Sequence, residues 1–304
     1  MKIKPDIVPT FLLAALFTGL LAAFLPSRDD GGEEALFWTR KTFAPASFDG
    51  VIMGDSRAYR GLSPEVMEKH LPGMKVLNFG YSNGGLNPEM FEAAGSKLDK
   101  TSQAKIMVLA VTANCLTGYT RGNEQWKKER FRSREERLER LWMRRFLIRF
   151  SPIRLSELDE LFQTETPEKK YMNRYHPDGW VESEKFPPDT SEALPSYIKD
   201  FTRYKVENAY MDELFRQVKK WSDEGITVVA FRPPVTASMR MLEDTMARYN
   251  EYVIKEGIIQ AGGHWIDIDP SEYETYDGSH LNKTSALRLS EKMGRELKIL
   301  LGKE

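Results

Sequence analysis

The sequence predicts an α/β protein built on a doubly wound parallel sheet, and three observations predict it. Short apolar runs alternate with helical patterns, the order that buries a parallel sheet between helices. Several polar, chemistry-bearing residues fall just after those runs, where such sheets hold their ligands. The chain has 304 residues and a 41% hydrophobic share, enough to bury a sizeable core.

The first element is apolar throughout. Ile7 to Leu25 is a 19-residue stretch without a charge, about 28 Å as a helix against a bilayer core of roughly 30 Å. Lys2 and Lys4 precede it, and Asp29, Asp30, Glu33 and Glu34 follow. The basic flank is expected in the cytoplasm, which puts the rest of the chain outside, periplasmic or extracellular. Residues 1–26 are therefore expected to be an N-terminal transmembrane anchor. A cleaved signal peptide is the rival reading, because small residues lie near Ala22-Ala23, and a buried core helix is a third. Residues 27–48 read as a linker, broken by Gly31 and Gly32 and solvated by its acids.

The soluble domain is expected over 49–304. Val51–Gly54 is a short strand, and Ser63-Pro64-Glu65 opens a helix with a cap and a first-position proline. Met74–Phe79 is a strand, followed by a helix over about 87–97. Ile106–Val111 is a buried strand. A long amphipathic helix through Leu214–Trp221 leads to the strand Ile226–Phe231. A helix around Met239–Lys255 leads to the strand His264–Ile268, and a last helix covers about 283–300.

An insertion over 117–205 separates the third strand from the fourth. Residues 126–150 carry ten Lys/Arg against four Glu, interleaved with Trp126, Phe131, Leu138 and Trp142. That pattern fits a solvated helix with one packed face, a membrane-surface helix, or a contact for an anionic polymer or partner protein. Tyr171, Tyr175, His176, Trp180 and the prolines at 187, 188 and 195 read as a lid loop beside a site.

Net charge is −1, so no global field attracts nucleic acid, and none is expected as a partner. The single cysteine, Cys115, excludes an internal disulfide and a cysteine-rich metal centre. The four histidines show no HExxH or HxH spacing, and neither a metal nor a cofactor is expected.

Two motifs carry the chemistry. Val51-Ile52-Met53-Gly54-Asp55-Ser56-Arg57 reads as a strand entering a tight turn that presents a serine. Tyr276-Asp277-Gly278-Ser279-His280 places a carboxylate and an imidazole three residues apart. Together they offer a nucleophile, Ser56, a general base, His280, and an acid to hold the base, Asp277. Arg57 stands beside the nucleophile, placed to pair with Asp55 or to orient an anionic group. Arg232 closes the fourth strand, and His176 lies on the lid loop, so all three are candidate substrate contacts.

Gly54-Asp55-Ser56 after a strand, Asp277-x-x-His280 before the last helix, and the alternation between them resemble the SGNH/GDSL hydrolase superfamily over roughly 48–301. The apolar N-terminus and large insertion look most like its cell-envelope branch, which includes polysaccharide O-acetyltransferases and the D-alanyl-transfer protein of teichoic acid synthesis. The resemblance implies a flavodoxin-like sheet and an oxyanion hole. Ser56 would supply one N–H. The second block, Asn78-Phe79-Gly80-Tyr81-Ser82-Asn83-Gly84, would supply another from Asn83, where the family has glycine, or from Gly84. The third block, usually Gly-x-Asn-Asp, reads Thr112-Ala113-Asn114-Cys115, and Asn114 would give a side-chain N–H.

The implied activity is extracytoplasmic acyl transfer or ester hydrolysis through an acyl-Ser56 intermediate. The implied partners are an acyl donor, an envelope polysaccharide acceptor and a polytopic membrane acyltransferase. The alternative is a catalytically weak binding or assembly subunit working through residues 126–150. A plain secreted lipase or thioesterase is a third reading.

Overall fold

The structure of the protein is a computed structural model, and it describes residues 7–24, 32–144 and 170–302. The chain divides into two compact units. One comprises Met1–Arg40 with Arg132–Pro167, the other Lys41–Phe131 with Glu168–Glu304.

In the first unit, helix α1 covers Ile7–Phe24, and helix α2, Gly32–Thr42, begins there and ends in the second unit. The expected membrane-spanning helix over 7–25 is not found as such. Among the described residues no helix is long and apolar enough to cross a membrane. Helix α1 has 18 residues without a charge, about 27 Å in length. Leu25 and Pro26, the end of the expected anchor, lie outside the described residues. The expected linker over 27–48 contains a helix. Its middle, Gly32–Thr42, is α2, in which Ala35, Leu36, Phe37 and Trp38 are buried.

The second unit contains the sheet. Its strands are β1 (Gly50–Met53), β2 (Val76–Asn78), β3 (Ile106–Ala110), β6 (Thr227–Phe231) and β7 (His264–Trp265); an antiparallel hairpin of β4 (Lys170–Tyr175) and β5 (Val181–Phe186) stands apart from it. The five-stranded order is β2-β1-β3-β6-β7, and every pairing is parallel. Register is set by Gly50 opposite Val76 and Ile106, and by Ile106 opposite Thr227. β1 and β3 are buried along their whole length, which explains why they read as continuous apolar runs instead of alternating ones.

Between the strands run α3 (Ser56–Gly61), α4 (Pro64–Glu68), α5 (Pro88–Gly95), α6 (Glu124–Arg130), α8 (Leu194–Arg203), α9 (Asn208–Asp223), α10 (Ala237–Thr245) and α11 (Glu251–Gln260), and α12 (Lys283–Leu300) follows the last strand. α7 (Arg134–Leu138) belongs to the first unit. α12 turns Ala286, Leu289, Met293 and Leu297 into a core shared with Leu62, Met67 and Leu71. Gly294 allows this approach: a Cβ there would stand 3.0 Å from the Met67 carbonyl.

Three boundaries differ from expectation. The strand expected over Met74–Phe79 is only Val76–Asn78. The helix expected over 239–255 is two helices, α10 and α11. Arg248 takes a left-handed φ of 60° between them, and the Asn250 side chain caps the second. The last strand is two residues, not five. In the insertion, residues 145–169 lie outside the described set, so the basic segment 126–150 is described only to residue 144.

Candidate active site

The nucleophile turn is built by close approach. Gly54 follows β1 with φ 144°, and a Cβ there would meet the Ala110 carbonyl and the Ala58 side chain, both at 2.9 Å. Only glycine fits such a position. Asp55 caps α3, accepting the Arg57 N–H at 2.9 Å on one carboxylate oxygen and the Thr112 hydroxyl at 2.5 Å on the other. Ser56 is therefore the first residue of a short helix, where its own N–H has no intrahelical acceptor.

The second motif forms a closed loop. Tyr276 N–H donates to the His280 carbonyl at 3.0 Å. The Asp277 carboxylate accepts backbone N–H bonds from Ser279 at 2.8 Å and His280 at 2.7 Å. Gly278, at φ 93°, lets the Thr190 carbonyl pass where a Cβ would collide. Ala193 N–H donates to the Asp277 carbonyl at 3.0 Å, so the end of the insertion supports the loop.

The two motifs meet. His280 Nδ1 lies 2.7 Å from Asp277 Oδ2, and His280 Nε2 lies 2.8 Å from Ser56 Oγ. With Nδ1 donating to the carboxylate, Nε2 is free to accept from the serine hydroxyl. Burial pushes the Asp277 carboxyl up, but the hydrogen bond and charge of His280 and the two backbone donors outweigh it, leaving it at about 2. Burial holds the His280 pKa below the usual histidine value; Asp277 opposes that shift, and Arg60 and Arg57 add to it. The imidazole is thus neutral at neutral pH and oriented toward Ser56, as a general base must be.

The expected oxyanion donors divide. The loop after β2 lies against the nucleophile turn, with Tyr81 N–H on the Gly54 carbonyl at 3.1 Å. The Gly84 N–H is already committed to the Tyr81 carbonyl at 2.9 Å, so it is not a free donor, which corrects that assignment. Asn83 has a left-handed φ of 52°, and its side chain reaches the Tyr119 hydroxyl at 3.3 Å. Asn114 sits at the end of β3 in a 3-10 turn. It is buried, and its Oδ1 has no partner among the described residues.

The three candidate substrate contacts are corrected, each because its side chain is engaged elsewhere. Arg57 and Arg232 are both buried and share Glu243, at 2.5 and 2.9 Å. Arg232 also pairs with Asp244 and Glu251 and lies over the Tyr249 ring at 4.5 Å. His176 pairs with Glu182 at 3.3 Å and packs on Trp180 at 4.5 Å; it holds the hairpin, not the triad. Cys115 is a buried packing residue on Thr112.

Sequence reasoning did not single out Thr112, Glu243, Ser279, Tyr197 or Arg60. Thr112 stands in the same block as Asn114, but a threonine there carries no chemical signature of its own. Arg60 had a signal, since it lies one helical turn after Ser56. Glu243 had none, because its partners are far away in sequence. Among the described residues no group of three metal-binding side chains is placed to hold an ion.

No protein-family model and no curated protein matches the chain. A solved structure from Streptococcus pneumoniae, provisionally described as a platelet activating factor, is similar at 10% identity over 95% of this chain and 99% of that one, with a TM-score of 0.38. A likeness at that level bears no weight for function, which rests on the chain's own geometry.

Proposed function

We propose that this chain carries out serine-dependent acyl transfer or ester hydrolysis through an acyl-Ser56 intermediate. The observation that supports this reading is the continuous hydrogen-bonded chain from Ser56 Oγ through His280 to Asp277. Ser56 Oγ attacks an ester carbonyl while its proton passes to His280 Nε2. Asp277 holds the imidazole and stabilises its charged form. The tetrahedral oxyanion is held by the Ser56 N–H and the amides of Asn83 and Asn114. One such donor typically lowers a barrier by about 2.7–4 kcal/mol. Collapse expels the alcohol, which takes the proton from His280. A hydroxyl group or water then resolves the acyl-serine by the reverse steps.

The resemblance to the envelope branch of the SGNH/GDSL superfamily supports an envelope polysaccharide as acceptor, with O-acetylation or deacetylation as the reaction. The uncharged helix α1, with Phe11, Leu13 and Phe17 exposed, supports attachment to a membrane. Lys2 and Lys4 before it support an extracytoplasmic site. A polytopic membrane acyltransferase would supply the acyl group in such a setting.

The test is hydrolysis of p-nitrophenyl acetate by the full chain in detergent, beside Ser56→Ala and His280→Ala. Activity lost in both variants is expected. A folded, inactive wild type that a fluorophosphonate does not label would overturn the reading in favour of a binding or assembly role.

A further inference from the structure

The short helix α3 carries more than the nucleophile. Arg57 and Arg60 lie on it three residues apart, so their side chains leave one face of the helix. Arg57 is buried, and its Nε donates to the Ser279 hydroxyl at 3.0 Å. The same hydroxyl meets the Tyr197 hydroxyl at 2.8 Å, and the Arg57 guanidinium lies over the Tyr197 ring at 5.1 Å. Arg60 donates through Nη1 to the Tyr276 hydroxyl at 2.6 Å and to Ser183 Oγ at 3.0 Å. The Tyr276 ring lies nearly parallel to the His280 imidazole, with centroids 5.8 Å apart.

Ser279 immediately precedes His280, and Tyr276 immediately precedes Asp277. The helix that presents Ser56 thus holds the acid–base loop at both of its ends. We infer that Arg57 and Arg60 are positioning residues that set the register of His280 against Ser56. The inference rests on the proposed catalytic role of Ser56.

Geometry and charge act together here. The Ser56–His280 bond joins groups 224 positions apart, and a mechanism of this kind loses about a hundredfold in rate when reacting groups shift by 1 Å. The charged and titratable groups around the imidazole are Asp277 from its own loop, Tyr276 stacked on it, and Arg57 and Arg60 from α3. Asp277 favours the imidazolium, and the two guanidiniums disfavour it. Burial pulls the Arg57 pKa down, but Glu243, Tyr197 and Asp55 push it above the usual arginine value, so the cation persists. Arg60 is held charged in the same way by Tyr59, Tyr276 and Asp277.

The experiment is the rate of fluorophosphonate labelling of the full chain in detergent, from about pH 4 to about pH 9. It compares wild type with Arg57→Met, Arg57→Lys, Arg60→Met and Ser279→Ala. Arg57→Met and Arg60→Met are expected to slow labelling about tenfold or more and to move the acid limb to higher pH, because a cation opposing the imidazolium is gone. Arg57→Lys is expected to restore the limb but not the rate. Ser279→Ala keeps every charge, so it is expected to slow labelling without moving the limb, and it covers the case in which an arginine variant fails to fold. Wild-type rates and an unmoved limb in the folded variants would overturn the inference while leaving the triad intact. An unlabelled wild type would overturn both.

Discussion

The Thr112 hydroxyl donates to the carboxylate of Asp55 at 2.5 Å, tying the end of β3 to the cap of the nucleophile helix. Asp55 is buried, and with its other oxygen it receives the Arg57 N–H. A buried carboxylate that loses a donor costs about 1–3 kcal/mol. Thr112→Val keeps the shape and removes the hydroxyl. It is expected to lower unfolding stability by that amount in urea titrations and to slow Ser56 labelling, whereas Thr112→Ser is expected to restore most of both. An unchanged urea midpoint in Thr112→Val would show that the bond contributes nothing.

The Thr112–Asp55 contact also shows where sequence reading succeeds and where it stops. Ser56, Asp277 and His280 were legible because each sits in a short motif whose local chemistry is diagnostic. The left-handed backbone at Asn83 was legible because asparagine tolerates it better than most residues. The parallel sheet was legible because β1 and β3 are unbroken apolar runs. Contacts made by tertiary packing were not legible. Arg57 and Arg232 read as candidate substrate contacts, yet both are spent on Glu243, a residue of α10 that carries no motif. The helix α2 was hidden by the glycines and acids before it, although Ala35–Trp38 carried the apolar face.

The pH dependence follows from the directions of the two triad shifts. Asp277 is depressed to about 2 from an ordinary value of 3.8. A depressed carboxyl contributes stability above its unfolded pKa and loses it as pH falls through the folded one. Asp277 is therefore expected to contribute about 2 kcal/mol at neutral pH, fading between about pH 4 and pH 2. His280 is also depressed, so the unfolded chain binds its proton more readily, and stability begins to fall below about pH 6.5. Activity needs the neutral imidazole, and the acid limb of kcat/KM is expected below the ordinary histidine value. Urea midpoints and esterase rates across this range check both; an acid limb above about 7 would contradict the sign.

Asp277→Asn tests orientation separately from basicity. The loop holds its shape partly through the Asp277 oxygen that accepts the Ser279 and His280 N–H groups, and an amide oxygen can still accept them. The other position becomes an NH₂ group facing Nδ1, which forces the proton onto Nε2 and removes the acceptor for Ser56. Esterase activity is expected to fall at least about a thousandfold, with kcat more affected than KM. A loss confined to KM would assign Asp277 to substrate binding instead.

Glu243 offers the sharpest separation of stability from positioning. It is buried between Arg57 and Arg232, and Arg57 alone continues to the acid–base loop through Ser279. Glu243→Gln leaves two buried guanidiniums without their shared counter-charge and is expected to cost about 3–5 kcal/mol. Replacing Glu243 and Arg232 together by methionine removes a buried anion with one of its two cations, so the part of that cost due to Arg232 should be recovered, while Arg57 stays buried without its counter-charge. Arg57 then keeps Ser279 and the Tyr197 ring but loses its Glu243 anchor. If the anchor matters to register, the double variant melts above Glu243→Gln yet, while folded, labels Ser56 more slowly than wild type. Wild-type labelling in the double variant would mean that Ser279 and Tyr197 suffice to hold Arg57, and that Glu243 serves stability alone.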